Sequence, residues 1–314
     1  MRSGTLRIAM VLVGVCCASA AGWAQQEGPV PTEALVKVES KNGAAPAARE
    51  ITIKVDGKTS PLTAWRPAQS MNGGGVQVAL LLDEGLRTSV GRQIEDLRNF
   101  VAGMPPEMQV FIGYMSHGSV VPVQEFTTDH AAAANKVRLP SGLPGMSGSP
   151  YFCLSTFAQQ WPSSQPAARF VLMITNGVDP YNGSVSPMNQ NSPYVERAQK
   201  DAQRAGIAVY SIYYADSGRV MRTEAASFSG QNYLVQLAEA TGGRAYSEGE
   251  YSPVAMAPYL KQFQTAISET YVASFMANAG RNKLMPVKFS TSANKTKLNG
   301  PYFVLPGNRE GPQP

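Results

Sequence analysis

The feature of this 314-residue sequence that most constrains its fold is an alternation of strand-like and helix-like segments that begins at Val76. Residues 76–82 and 168–175 are nearly continuous apolar runs, as expected for strands that are covered on both faces. Between such runs, residues 91–104 carry apolar side chains at helical spacing. The alternation predicts an α/β domain over residues 76–270, with a doubly wound, mostly parallel sheet between two layers of helices.

Local signals predict where several of these elements begin and end. Residues 108–115 and 120–126 are predicted as two strands joined by a turn at residues 117–118. Helices are predicted to start at Ser149 and Ser192, because each serine is followed by a proline that a first helical turn tolerates.

Segments rich in β-strand signals flank the α/β domain on both sides. Residues 25–70 alternate apolar and polar side chains around a hairpin signal at Asp56-Gly57, and predict a small β-sandwich or a β-ribbon on the neighbouring domain. Residues 271–306 return to β-strand character, and residues 307–314 are predicted to form a disordered tail. We expect the two β segments to pair, since unpaired strands near both ends would leave exposed edges.

The first 24 residues have the layout of a secretory signal sequence. Arg2 and Arg7 precede an apolar run, and small residues then lead to a predicted cleavage after Ala24. The apolar run is too short to span a bilayer comfortably, so a retained anchor is the weaker interpretation. We therefore expect a secreted or periplasmic protein with no membrane insertion after the signal is removed.

The charge and cysteine content of the mature chain exclude several classes of function. Of 27 Lys and Arg residues, removal of Arg2 and Arg7 leaves 25 against 22 acidic residues, and no basic cluster typical of nucleic-acid binding remains. Cys153 is the only cysteine left, so neither a disulfide framework nor a cysteine-based zinc site is expected. Nucleic acid is therefore not an expected partner.

Three polar segments are predicted to meet at one edge of the sheet. Asp83 follows the strand of residues 76–82, residues 175–177 end another strand, and residues 141–149 lead into a helix. In a doubly wound sheet, ligands gather at the carboxyl ends of the strands, where the strand order reverses. This edge is therefore the candidate functional site.

The layout of these segments resembles that of a von Willebrand factor A-type domain. The stretches SPYVERAQKDAQRAGIAVYSIYY (192–214), GQNYLVQLAEATGGRAY (230–246) and SPVAMAPYLKQFQTAISETYVASF (252–275) are similar to a bacterial family of secreted A-domain-related proteins. The similarity runs from residue 76 to the end and touches residues 51–65. It implies a Rossmann-like fold and a role in adhesion or assembly through contact with another protein.

The resemblance also implies a position for a metal-ion-dependent adhesion site, and this chain departs from the pattern there. Domains that bind a divalent cation carry D-x-S-x-S after the first strand, because Mg²⁺ prefers hard oxygen ligands. Asp83 matches the acid, but Gly85 and Arg87 stand where the two hydroxyl groups belong.

The distant positions of that pattern are altered too. Asn176 stands in place of a second aspartate, and Ser149 or Ser147 is the only candidate for the threonine. Only one carboxylate remains, and a guanidinium within a few ångströms repels a divalent cation. The resemblance therefore implies a degenerate site with no metal and no other cofactor.

Alternatives for this site remain open at the level of sequence. Our hypothesis is that Arg87 occupies the vacated cation position and pairs with Asp83. Asp83 can instead cap the following helix or accept backbone hydrogen bonds, while Arg87 is solvated. In a shifted register, Thr88 and Ser89 supply oxygens and the domain binds Mg²⁺ or another divalent cation.

A serine hydrolase is a minor alternative. Residues 145–149 are a near match to the G-x-S-x-G motif around Ser147, but the final glycine and the leading apolar strand are missing. The only candidates for a general base are His117 and His130, and both are predicted to be surface residues. We therefore expect no enzymatic activity.

The predicted function is that of an exported protein-binding module whose partner, at the cell envelope or outside, binds a broad polar face. Residues 141–150, 176–193 and 215–230 are predicted to form this face. The residues predicted to contact the partner are Asp83, Arg87, Ser147, Ser149, Asn176, Asp179 and Tyr181.

Overall fold

A computed structural model gives the architecture of most of the chain. It describes residues 28–70, 75–86, 88–143, 148–186, 188–215, 223–278 and 282–308. The predicted signal sequence, Arg87 and Ser147 lie outside the described residues.

Strands and helices of the described residues follow the predicted order. The strands are β1 (Pro29–Ser40), β2 (Ile51–Val55), β3 (Lys58–Ser60), β4 (Leu62–Pro67), β5 (Val76–Asp83), β6 (Gln109–Ser116), β7 (Ser119–Thr127), β8 (Ala168–Thr175), β9 (Ile207–Tyr213), β10 (Ala245–Tyr246), β11 (Thr270–Asn278), β12 (Met285–Thr291), β13 (Thr296–Asn299) and β14 (Phe303–Val304). The α-helices are α1 (Ile94–Ala102), α2 (His130–Lys136), α3 (Pro150–Gln159), α4 (Pro193–Arg204), α5 (Glu224–Thr241) and α6 (Ala257–Ser268).

A six-stranded sheet forms the centre of the α/β domain. Its strand order is β10-β9-β8-β5-β6-β7, and every neighbouring pair is parallel except β6 with the edge strand β7. This arrangement confirms the predicted doubly wound, mostly parallel sheet. The strand order reverses next to β5, so the segment after Asp83 lies at the switch point where such sheets hold ligands.

Alternation along the buried strands distributes apolar side chains to both faces of the sheet. Val78, Leu80 and Leu82 of β5 point to the layer of α1, α2 and α6, whereas Ala79 and Leu81 point to the layer of α3, α4 and α5. All residues of β5 are buried. A strand covered on both faces needs this continuous apolar run, which is why the sequence pattern is so clear.

The boundaries of two helices differ from the predictions. Residues 88–93 form a 3-10 helix before α1, so the α-helix is shorter than the predicted 91–104. Helix α5 begins at Glu224, capped by the Thr223 hydroxyl group, and therefore includes residues that were assigned to the polar face. The predicted face of residues 215–230 is thus partly helical.

The segments before and after the α/β domain together form two packed β-sheets. Their strand orders are β13-β1-β11-β4 and β14-β12-β2-β3, and β1 pairs with β11 from Pro29↔Asn278 to Lys37↔Thr270. Val36, Ile53 and Phe275 belong to the apolar core between the sheets. Residues 29–67 and 270–304 therefore share one β-sandwich next to the α/β domain.

Candidate functional site

Asp83 lies buried at the carboxyl end of β5, where both of its oxygens accept hydrogen bonds from the protein. The Gly85 backbone N–H donates to Oδ1 at 2.8 Å, and the Thr175 hydroxyl group donates to Oδ2 at 2.7 Å. Thr175 ends β8, so this contact joins the ends of two neighbouring strands. Of the alternatives for Asp83, acceptance of a backbone hydrogen bond is the one present among the described contacts.

Asn176 and Gly177 form a tight turn directly after β8. The Asn176 side-chain oxygen accepts from the Val178 N–H at 3.0 Å, and the Gly177 N–H donates to the Thr175 hydroxyl oxygen at 3.2 Å. Gly177 has a φ of 66°, which favours glycine. Its carbonyl oxygen accepts from the Tyr151 hydroxyl group at 2.7 Å, which ties helix α3 to the turn.

Ser149 occupies the N-cap position of α3 without capping the helix. Its side chain is fully buried, and its Oγ has no hydrogen-bond partner among the described residues. The neighbouring Gly148 places this segment against the β6–β7 hairpin and the loop after β8. A Cβ on Gly148 would lie 3.8 Å from the His117 Cα and 3.9 Å from the Tyr181 Oη. The three predicted segments therefore meet at one edge.

Asp179 is a buried link between the loop after β8 and helix α4. Its Oδ2 accepts from the Ser192 hydroxyl group at 2.6 Å, and its Oδ1 accepts from the Tyr181 N–H at 3.3 Å. The same Ser192 oxygen caps α4 by accepting from the N–H groups of Tyr194 and Val195, as the sequence predicted. Asp179 therefore orders the loop from inside.

Sequence reasoning missed an ion pair beside Asp83. The buried Glu84 carboxylate contacts the Arg138 guanidinium at 2.5 Å, and its second oxygen accepts from the N–H groups of Ser141 at 2.6 Å and Gly142 at 3.1 Å. Burial raises the pKa of Glu84, but these hydrogen bonds outweigh it, so the pKa lies below its ordinary value. The pair fixes the loop that leads towards α3.

The arrangement of oxygens at this edge fits a divalent cation poorly. Both Asp83 oxygens and the Asn176 side-chain oxygen accept hydrogen bonds from protein donors, and Gly85 offers no side-chain ligand. Within the described ranges, no group of three or more His, Cys, Asp or Glu residues is placed to hold a metal ion. The predicted pairing of Arg87 with Asp83 involves a residue outside those ranges and stays a prediction.

The residues predicted to contact a partner differ in how far they are buried. Asp83, Ser149, Asn176 and Asp179 are buried, so their side chains offer almost no contact area, whereas Tyr181 is 57% exposed. Of the predicted contact residues that the structure describes, Tyr181 is the one exposed enough to touch a partner directly. The role of the whole set in partner binding stays a prediction.

Large apolar side chains are exposed at this edge of the sheet, a feature that the predicted polar face did not include. Large apolar side chains protrude from the loop after β8, the start of α5 and the loop after β10. This carboxyl-edge surface consists of Tyr181, Met188, Phe228, Tyr251 and Val254. Apolar groups that remain exposed in this number favour a surface for macromolecular contact.

Hydrogen bonds from helix α5 connect the loops that carry these side chains. The Ser229 hydroxyl group donates to the Ser186 carbonyl oxygen at 3.3 Å, and the Ser227 hydroxyl group donates to the Glu250 carbonyl oxygen at 3.1 Å. Phe228 lies between these two serines and is 53% exposed. Both loops are therefore tied to the first turns of α5, on which Phe228 is exposed.

The two histidines do not form a hydrolytic site in the described residues. His117 occupies the left-handed turn between β6 and β7, with its Nδ1 2.7 Å from the hydroxyl oxygen of the adjacent Ser116. His130 is buried, with its Nε2 2.8 Å from the Met108 carbonyl oxygen, so its prediction as a surface residue is wrong. Burial also raises the pKa of the Cys153 thiol to about 12, which keeps it protonated and unreactive.

Helices of membrane-spanning length and apolarity are absent from the described part of the chain. No family model matches the sequence, and no curated protein matches it.

Solved structures similar to this chain include von Willebrand factor A-type domains. Protein BatB from Bacteroides thetaiotaomicron is 15% identical over 62% of this chain and 98% of its own, with a TM-score of 0.45. A von Willebrand factor type A structure from Catenulispora acidiphila is 11% identical over 90% of this chain and 75% of its own, with a TM-score of 0.41. The corresponding domain of the type V pili tip protein Mfa5 from Porphyromonas gingivalis is 12% identical over 63% of this chain and 96% of its own, also with a TM-score of 0.41. At these identities the likeness concerns the fold alone.

Proposed function

We propose that this chain is an exported, non-catalytic A-type module that binds a protein partner through its carboxyl-edge surface without a metal ion. The observation that carries the proposal is the exposure of five large apolar side chains at this one edge of the sheet. Exposed apolar patches on soluble domains mark interaction sites, and aromatic side chains and Met supply much of the contact energy at such sites. Export is proposed from the layout of residues 1–24.

The hydrogen bonds of Asp83 support a site that works without a cation. Its carboxylate already accepts from Gly85 and from the Thr175 hydroxyl group. A bound cation would have to displace at least one of these donors and would gain a single carboxylate in return. Mg²⁺ binds with near-ideal octahedral geometry and favours sites with more negative charge than this one. Asp83 on this proposal orders the ends of β5 and β8.

Titration with divalent cations separates this proposal from a cation-dependent A-type domain. Calorimetric titration with Mg²⁺, Mn²⁺ or Ca²⁺ is expected to give no binding in the micromolar range, and the melting temperature is expected to be the same in EDTA. A ligand present at 100 times its dissociation constant would stabilise the fold by about 2.7 kcal/mol, which thermal melting readily detects. The cation-dependent alternative would be established if a cation bound with micromolar affinity and the Asp83→Asn variant lost that binding.

Replacement of Phe228 tests the carboxyl-edge surface. In a quantitative pull-down from an extract of the native cell envelope, Phe228→Ser is expected to reduce recovery of the partner roughly tenfold, because it removes a central apolar contact. Phe303→Ser is the matched control, since Phe303 is 40% exposed in β14 of the β-sandwich. Equal recovery of every captured protein by the two variants would contradict the proposal.

A further inference from the structure

A cleft of about 680 Å³ lies between the α/β domain and the β-sandwich, away from the carboxyl-edge surface. One wall comes from the end of α5 and from β10, and the other from β1, β12 and β13. Ligand sites occur preferentially at such junctions between domains, because two surfaces enclose a ligand better than one.

Close backbone contacts give this cleft a fixed shape. Gly242 has a φ of 80°, and a Cβ there would lie 2.9 Å from the Gly300 carbonyl carbon. The Tyr302 N–H donates to the Ala240 carbonyl oxygen at 2.9 Å. A Cβ on Gly300 would lie 2.7 Å from the Phe289 ring, so the second wall is packed just as tightly. A preformed cleft loses little conformational entropy when it binds a ligand.

Basic side chains dominate the charge of the cleft. Lys37 is largely buried and is neutralised by Glu39 at 3.1 Å and Glu269 at 3.7 Å. Arg244, Lys288 and Lys297 also line the cleft and are exposed, and no ion pair joins any of them to another described residue. The lining of the cleft thus contains four basic residues and two acidic ones, Glu39 and Glu239, and its excess of positive charge attracts an anionic ligand.

Apolar side chains and an open strand edge lie beside these cations. Val235 and Tyr302 line the cleft and rank among the large apolar residues that remain exposed, at 40% and 51%. Strand β13 also lines the cleft and is the edge strand of its sheet, so among the described strands none pairs with its outer side. Such an edge offers backbone hydrogen bonds to an added strand.

We propose that the cleft binds an extended acidic segment of a partner protein. Side chains of an extended segment alternate between two faces. Acidic side chains on one face would meet Arg244, Lys288 and Lys297, apolar side chains on the other would cover Val235 and Tyr302, and the backbone would pair with β13. A sulfated glycan would use only the cations. The combination of cations, apolar side chains and an open strand edge therefore favours a peptide. This site is independent of the proposed carboxyl-edge surface.

The test uses the folded chain and a fluorescein-labelled peptide in which glutamate alternates with valine and tyrosine. Fluorescence anisotropy is expected to show saturable binding that weakens with added salt. The triple variant Arg244→Glu, Lys288→Glu, Lys297→Glu is expected to weaken binding roughly tenfold or more. The matched control carries Lys58→Glu, Lys136→Glu and Lys261→Glu, which change the net charge equally at exposed positions outside the cleft.

Three results would overturn the proposal. The first is no peptide binding at millimolar concentration, and the second is an equal loss of affinity in both triple variants, which indicates general charge attraction. The third is competition by a heparin oligosaccharide with an affinity above that of the peptide, which assigns the cleft to glycans. Val235→Ser supplies a further readout, because loss of peptide affinity without loss of heparin affinity requires the apolar contact.

Discussion

Gly230→Ala is expected to destabilise the folded protein by about 3 kcal/mol, the upper part of the range for overpacked interiors. A Cβ on Gly230 would lie 2.1 Å from the Asn176 carbonyl oxygen, and a Cβ on Gly177 would lie 2.5 Å from the Gly230 carbonyl oxygen. Both contacts involve backbone atoms, so no side-chain rotation relieves them. Helix α5 and the turn after β8 would have to move apart.

The direction of the stability change distinguishes a backbone clash from an ordinary substitution in a helix. Gly→Ala within a helix ordinarily stabilises it by about 1 kcal/mol, because alanine has the higher helix propensity. For a domain of this size, a loss of 3 kcal/mol lowers the melting temperature by about 6 to 12 °C. Thermal unfolding followed by circular dichroism measures this change.

Gly91→Ala is the matched control for this substitution. A Cβ on Gly91 would meet only the Leu139 side chain, at 2.9 Å, and a flexible side chain can move away. We expect the free energy of unfolding of the Gly91→Ala variant to stay within about 1 kcal/mol of that of the original protein. An increase in melting temperature for Gly230→Ala would show that α5 does not lie against Asn176.

The same glycine explains one limit of sequence-based prediction. Residues 215–230 were predicted to form part of a polar face, although α5 begins at Glu224 and contains Gly230, a residue of low helix propensity. The glycine is there because the helix approaches Asn176 too closely for any side chain. Nothing in the local sequence reports a contact between residues 54 positions apart in the chain.

The elements that sequence predicted correctly depend on local chemistry. The hairpin turns at residues 56–57 and 117–118 are confirmed by the left-handed backbone of Asp56 and His117. The start of α4 is confirmed by the hydrogen bonds of Ser192. Turn and capping residues act within a few positions, so a single sequence is enough to identify them.

The sequence predicted that three polar segments meet at one edge of the sheet, and they do, but it predicted only some of the side-chain contacts there. Thr175, which binds Asp83, came from the expected strand end, and Asp83 does accept a nearby backbone N–H. The way in which the loops fold over the sheet determines which polar side chains are buried and leaves Phe228 exposed. Sequence periodicity carries no information about such irregular segments.

Glu84→Gln is expected to destabilise the protein by about 2 to 3 kcal/mol at neutral pH. Breaking a fully buried ion pair costs about 3 to 5 kcal/mol, and the partial exposure of Arg138 reduces that cost. Glutamine can still accept one of the N–H groups of Ser141 and Gly142, but the uncompensated guanidinium stays over the Tyr114 ring, 3.9 Å from its centre.

The pH dependence distinguishes a lost ion pair from a general packing defect. Because the pKa of Glu84 in the folded protein lies below the ordinary value of 4.5, its stabilising contribution is present above pH 4.5 and is lost as the pH falls through the lowered pKa. The stability difference between Glu84→Gln and the original protein should therefore shrink in acid. Urea unfolding measured at several pH values tests this.

Glu95→Gln is the control that removes the same charge from an exposed ion pair. Glu95 lies 3.9 Å from Arg98 with a mostly exposed side chain, so its removal is expected to cost less than about 1 kcal/mol. Glu84 differs because its carboxylate holds Ser141 and Gly142, and hydrogen exchange near these residues should accelerate only in Glu84→Gln. A stability loss in Glu84→Gln that does not change with pH would mean that the carboxylate stabilises the loop by its shape and not by its charge.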